Sequence, residues 1–124
     1  MAEKMKSKVI VNNFINNELT SPTNQLSWGK WVQPAIDCPG LKITDLAFYS
    51  EGAENSATGT TGWVQYAISG TEYYVHIAWD VPYFGENNFS ASVIPSGAPF
   101  QATMTGPARG DNNVFTVALN HKIS

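Results

Sequence analysis

Tyr73-Tyr74-Val75-His76-Ile77-Ala78-Trp79 decides the fold. In an extended chain Tyr73, Val75, Ile77 and Trp79 fall on one side, because strand side chains alternate with a period of two. β-branched and aromatic residues fill that side, as they do in a half-buried strand. The same alternation recurs outward along the chain. Phe100, Ala102 and Met104 oppose three polar residues, and Phe115, Val117 and Leu119 share a face. Further strands are expected at Lys8 to Phe14, Gly62 to Ile68 and Phe89 to Ile94, and Leu41 to Tyr49 adds one or two more. The polar, Asn-rich stretch from Asn12 to Gln25 reads as an exposed strand and a loop.

Turn signals punctuate these runs. Ser69-Gly70 reads as a tight hairpin, and Pro95 to Pro99 and Gly106 to Asp111 read as longer turns. No window of helical length shows a 3.6-residue period. Short strands at such spacing predict an all-β fold, a single antiparallel β-sandwich domain spanning residues 1–124. The expected core is Val9, Val11, Val75, Ile77, Trp79, Val93, Phe115, Val117 and Leu119. Trp63 and Trp79, both in clean strand patterns, are assigned to core or inter-sheet packing.

Composition narrows the function. The chain has 124 residues with 10 Asp+Glu against 7 Lys+Arg, a formal net charge of -3. That balance argues against nucleic acid as a partner and against docking on anionic lipid by charge alone. One cysteine, Cys38, leaves no intrachain disulfide and no Cys-based zinc site. The charged stretch Met1 to Lys8 is followed by no apolar run of signal-peptide length. The expectation is therefore a protein made in the cytoplasm that reaches any external target by non-classical release or lysis.

The chemistry of an enzyme is not advertised. His76 and Asp80 lie on one strand, about 13 Å apart at the ordinary rise, too far to pair. His121 sits near the C-terminal end, and Glu51 and Glu54 read as solvated loop carboxylates. There is no phosphate-cradling loop, nucleophile elbow or metal-ligand spacing. No catalytic residue, no metal and no cofactor are expected, and the protein is read as a non-enzyme.

Aromatic residues concentrate where the chain turns. Leu26-Ser27-Trp28-Gly29-Lys30-Trp31 and Trp79-Asp80-Val81-Pro82-Tyr83-Phe84-Gly85 each set large rings beside Gly or Pro. Such rings have an apolar body and a polar tip, which suits an interface dry on one side and wet on the other. Trp28 and Tyr83 are read as surface rings. Trp31 and Phe84 are candidates either for the same surface or for plugging the end of the sandwich.

The order of these pieces resembles the aegerolysins, an actinoporin-like β-sandwich family of fungi and bacteria. The resemblance rests on Val9 to Asn13, Ser27-Trp28-Gly29-Lys30, Gly59-Thr60-Thr61-Gly62 and His76 to Tyr83, followed by an Asn-containing strand and two C-terminal strands. It implies recognition of membrane lipids, namely sphingolipid with or without sterol. It also implies a larger perforin-like (MACPF) partner that forms the pore in a cytolytic or insecticidal pair. The lipid-facing positions it implies are Trp28 and Tyr83; Trp31 and Phe84 join them as supporting candidates on their own placement beside the same turns. Two positions depart from the family pattern: Thr58 replaces a glutamate found in some members, and Val81 replaces a cysteine. Alternatives from other classes are a carbohydrate-binding lectin, a pore former acting alone, and a structural inclusion or developmental protein without ligand.

Overall fold

The computed structural model describes residues 6–33, 43–51, 59–82, 85–110 and 112–122. Nine strands run through them in chain order. They are β1 (Lys6–Asn13), β2 (Leu19–Trp28), β3 (Lys30–Gln33), β4 (Ile43–Glu51), β5 (Thr60–Ile68), β6 (Tyr74–Val81), β7 (Asn88–Ile94), β8 (Phe100–Thr105) and β9 (Asn112–His121). They form a five-stranded sheet in the order β3-β4-β1-β9-β8 and a four-stranded sheet in the order β2-β5-β6-β7. The all-β sandwich expected from the alternation is the observed architecture. Glu51, expected in a loop, instead ends β4, where its backbone is opposite Lys6 of β1 and Lys30 of β3. Cys38, Glu54 and Thr58 lie outside the described residues.

One pairing departs from a purely antiparallel plan. β1 and β9 run parallel, with Val9 opposite Phe115 and Val11 opposite Val117. A parallel pair needs a long connection, and here most of the chain separates the two strands. Their inward residues all point between the sheets: Val9, Val11, Phe115, Val117 and Leu119 are buried.

The four-stranded sheet supplies the other half of the core. Val64, Tyr66 and Ile68 from β5 meet Val75, Ile77, Trp79 and Val81 from β6, all buried. Eight of the nine expected core residues are in this buried set, and Val93 is partly buried against it. Tyr73 follows the same parity, half-buried with its ring edge-on to Phe100 at 6.3 Å.

Trp63 requires a correction. It lies on the outer face of β5, between Thr61 and Gln65, while Gly62, Val64, Tyr66 and Ile68 take the inner face. The three inner aliphatic and aromatic residues fix the strand's parity, and one tryptophan does not overturn it. The β5–β6 turn is also wider than a two-residue hairpin. Ile68 N–H donates to Tyr73 O at 3.0 Å, so four residues, Ser69 to Glu72, make the turn. Within it both the Thr71 N–H and the Thr71 hydroxyl donate to Ile68 O.

Asparagines tie the loops to the sheets. Asn13 closes β1: its Oδ1 accepts from Ile15 N–H, and its Nδ2 donates to Asn17 O. Buried Asn113 accepts at Oδ1 from Asn87 Nδ2 at 2.9 Å and donates to Gly110 O at 3.0 Å. The Asn87 N–H and side chain also donate to Ala108 O and Pro107 O. This bracket joins the β6–β7 loop to the β8–β9 loop. Buried polar groups persist when partnered in this way.

Candidate functional site

The stretch Ser27-Trp28-Gly29-Lys30 is the corner where the chain leaves one sheet for the other. β2 ends at Trp28 and β3 begins at Lys30, with Gly29 at φ 101 between them. That backbone conformation is open to glycine and costly for residues carrying a Cβ.

Just before the corner the register shifts. Leu26 is opposite Gly62, but Trp28 is opposite Thr61, so β2 advances two residues while β5 advances one. An extra residue in one strand moves the residues after it to the other face. Leu26 therefore packs against the core, whereas Trp28 shares the outer face with Thr61 and is 61% exposed. The strands also run close here. A Cβ on Gly62 would sit 2.7 Å from Gln25 O and 3.1 Å from the Trp79 ring, which only glycine avoids.

Trp31, on the far side of Gly29, turns the opposite way. It is partly buried against the core, with its ring edge-on to Trp79 at 5.9 Å and 67°. Since Trp31 is on β3 and Trp79 on β6, the pair bridges the two sheets at this end. Trp79 Nε1–H donates to Thr60 Oγ1 at 3.3 Å, which fixes the inner ring. Of the four expected lipid-facing residues, Trp28 is on the surface and Trp31 packs inward. Tyr83 and Phe84 lie outside the described residues.

Beside Trp28, on the outer face of the four-stranded sheet, lies a groove of about 450 Å³. Cross-strand pairing builds it from rows. Trp63, Ala78 and Ser90 form the middle row, flanked by Thr61, Asp80 and Asn88 on one side and Gln65, His76 and Ser92 on the other. Small Ala78 and Ser90 make a low floor between larger neighbours. Trp63 stacks on His76 with centroids 5.4 Å apart and planes tilted by 30°. His76 Nδ1 lies 3.1 Å from Gln65 Oε1; the amide oxygen accepts, so Nδ1 carries the hydrogen. The Thr61 hydroxyl donates to Asp80 Oδ1 at 2.8 Å.

This groove is not evident in the sequence, whose strand patterns assign Trp63 to core or inter-sheet packing and set His76 and Asp80 too far apart on one strand to pair. The available signal was the parity of β5, which places Trp63 with Thr61 and Gln65. Those residues then meet His76 and Asp80 once β5 and β6 pair. No group of three or more His, Cys, Asp or Glu side chains among the described residues is arranged to hold a metal ion.

Comparison with known proteins adds to this geometry. The family model for Aegerolysin matches residues 5–117. No curated protein matches the sequence. Among solved structures, the chain is similar to the lipid binding protein Nakanori, with a TM-score of 0.81 at 11% identity, over 94% of this chain and 71% of that one. It is similar to the RahU protein, solved in complex with a TRIS molecule, with a TM-score of 0.66 at 22% identity, over 99% and 98% of the two chains. It is also similar to IP-1A from Alcaligenes faecalis, with a TM-score of 0.59 at 22% identity, over 94% and 91%. At these identities the likeness establishes a shared fold.

Proposed function

The chain belongs to the aegerolysin family, and from that premise we propose that it binds membrane lipid at the corner carrying Trp28. The observation that carries the reading is the register shift that turns a tryptophan out to 61% exposure beside Thr61. A strand that keeps Leu26 in the core and then uses a bulge to expose an indole has a surface reason for that ring. The description of Nakanori as a lipid binding protein is consistent with the same reading.

The lipid-facing surface centres on Trp28, and Tyr83 and Phe84 belong to the same proposal. Trp31 supports it from beneath, because its contact with Trp79 holds the corner between the sheets. With a net charge of -3, attachment rests on apolar insertion and headgroup contacts rather than on counterion release. The lipids proposed are sphingolipids, with sterol as a companion. A perforin-like (MACPF) partner supplies the pore, so the protein serves as the recognition half of a cytolytic or insecticidal pair acting outside the producing cell.

Liposome pelleting tests the reading. Phosphatidylcholine vesicles with and without sphingolipid and sterol are mixed with the purified protein and sedimented. The expected result is sphingolipid-dependent co-sedimentation that Trp28→Ala weakens. Failure to pellet with any vesicle of the panel would contradict it.

A further inference from the structure

The groove beside Trp28 has a chemistry that selects among headgroups. Asp80 is the one acidic side chain among the described lining residues, and none of them is Lys or Arg. A phosphodiester placed there would meet a carboxylate with no Lys or Arg among the described lining residues to offset the repulsion. An ammonium group would answer Asp80, but it accepts no hydrogen bond itself, and the phosphate that accompanies it in a zwitterionic headgroup finds no Lys or Arg among the described lining residues. The Trp63 indole N–H makes no hydrogen bond to the described residues, and Asn88 and Ser90, both exposed, bring further donors to the same face. These groups call for a ligand that accepts as well as donates.

A neutral sugar ring meets each demand. Its hydroxyls donate to the Asp80 carboxylate and accept from Asn88, Ser90 and the indole. Its C–H face packs on a flat aromatic ring. Trp63 is held for that purpose, since His76 backs one face of the indole and is itself held by Gln65. The low floor at Ala78 and Ser90 leaves room, and about 450 Å³ falls within the roughly 300–1,000 Å³ of small-molecule sites. Thr61 links groove and corner: it is opposite Trp28 across one strand pair and donates to Asp80 across the next. A ring seated over Ala78 therefore lies on the same sheet face as the exposed Trp28.

We infer that this groove binds an uncharged hexose presented as the headgroup of a membrane lipid. The inference rests on the lipid-binding reading above and names the headgroup class for it.

The test uses two arms. In the first, phosphatidylcholine vesicles containing glucosylceramide, sphingomyelin or unsubstituted ceramide are pelleted with the intact protein. In the second, saturation-transfer NMR is recorded with soluble methyl β-glucoside, methyl β-galactoside and choline. Glucosylceramide vesicles are expected to be preferred, and a glycoside is expected to give transfer. Trp63→Ala should reduce both by about tenfold, the scale of losing one stacked ring. Ala78→Leu, which fills the floor without removing a polar group, should do the same while the thermal midpoint stays unchanged, so a folding defect in Trp63→Ala does not decide the matter. Binding to sphingomyelin vesicles with no response to glucosylceramide or to either glycoside overturns the sugar assignment and leaves lipid binding standing. Transfer from a glycoside with no binding to any vesicle overturns the lipid source and the proposed function together. Transfer from choline alone, lost in Ala78→Leu, overturns the headgroup class.

Discussion

Trp31→Ala should destabilise the fold, because the ring bridges the two sheets. A tryptophan has roughly 150–250 Å² to bury. Trp31 is at least about two-thirds buried, so truncation gives up about 130 Å² of buried surface, worth about 3 kcal/mol at 25 cal/mol per Å². The edge-on contact with Trp79 adds about 0.5–1.5 kcal/mol. The sum is about 4 kcal/mol, which for a domain of this size lowers the thermal midpoint by about 15 °C. Urea denaturation of Trp31→Ala, Trp79→Ala and the double variant measures this, and the cycle should return a coupling of about 0.5–1.5 kcal/mol. An unchanged urea midpoint in Trp31→Ala, together with abolished vesicle binding, would refute the inter-sheet role. That outcome would make Trp31 a lipid contact instead.

Other expectations arise from single contacts. Gly106→Ala should destabilise the protein by about 1–3 kcal/mol, because a Cβ there would run into the Phe115 ring; the paired variant Phe115→Leu should recover part of the loss in denaturation experiments. Asn113→Ala should cost about 1–3 kcal/mol, since it removes the acceptor of one of the two Asn87 Nδ2 hydrogens, the other staying on Pro107 O, and the donor to Gly110 O, and hydrogen exchange should show the loops around Asn87 and Gly110 opening first. The purified protein should release little dye from sphingolipid vesicles by itself, because in the proposed function a partner forms the pore, and efficient release without a second protein would contradict that division of labour.

Much of this fold is legible in alternation alone. The parity of Tyr73 to Trp79, of Phe100 to Met104 and of Phe115 to Leu119 places their side chains as observed, because a buried sheet face demands strict period two. The parallel pairing of β1 with β9 is not legible, since a strand's own pattern does not name its neighbour. Trp63 misleads for a related reason: its size suggests core, but the sheet buries what Val64, Tyr66 and Ile68 require. The corner is half legible. Gly beside Trp28 and Trp31 marks a turn with rings, yet which ring faces out depends on the shift between Leu26 and Trp28, a property of the pairing with β5. The groove was hidden because its residues come from three strands, and its floor is defined by the small size of Ala78 and Ser90.

The central claim is that Trp28 is held outward for lipid, and Trp28→Ala tests it most directly. At 61% exposure, insertion of the indole removes about 120 Å² from water, about 3 kcal/mol at 25 cal/mol per Å² before ordering costs. Co-sedimentation of wild type and Trp28→Ala with sphingolipid and sterol vesicles, alongside their urea midpoints, is the decisive pair of readings. The variant should lose at least about tenfold in vesicle affinity, with stability within about 0.5 kcal/mol of wild type and the same loss at low and high salt. Undiminished vesicle binding by Trp28→Ala, or a variant that unfolds, would contradict the claim.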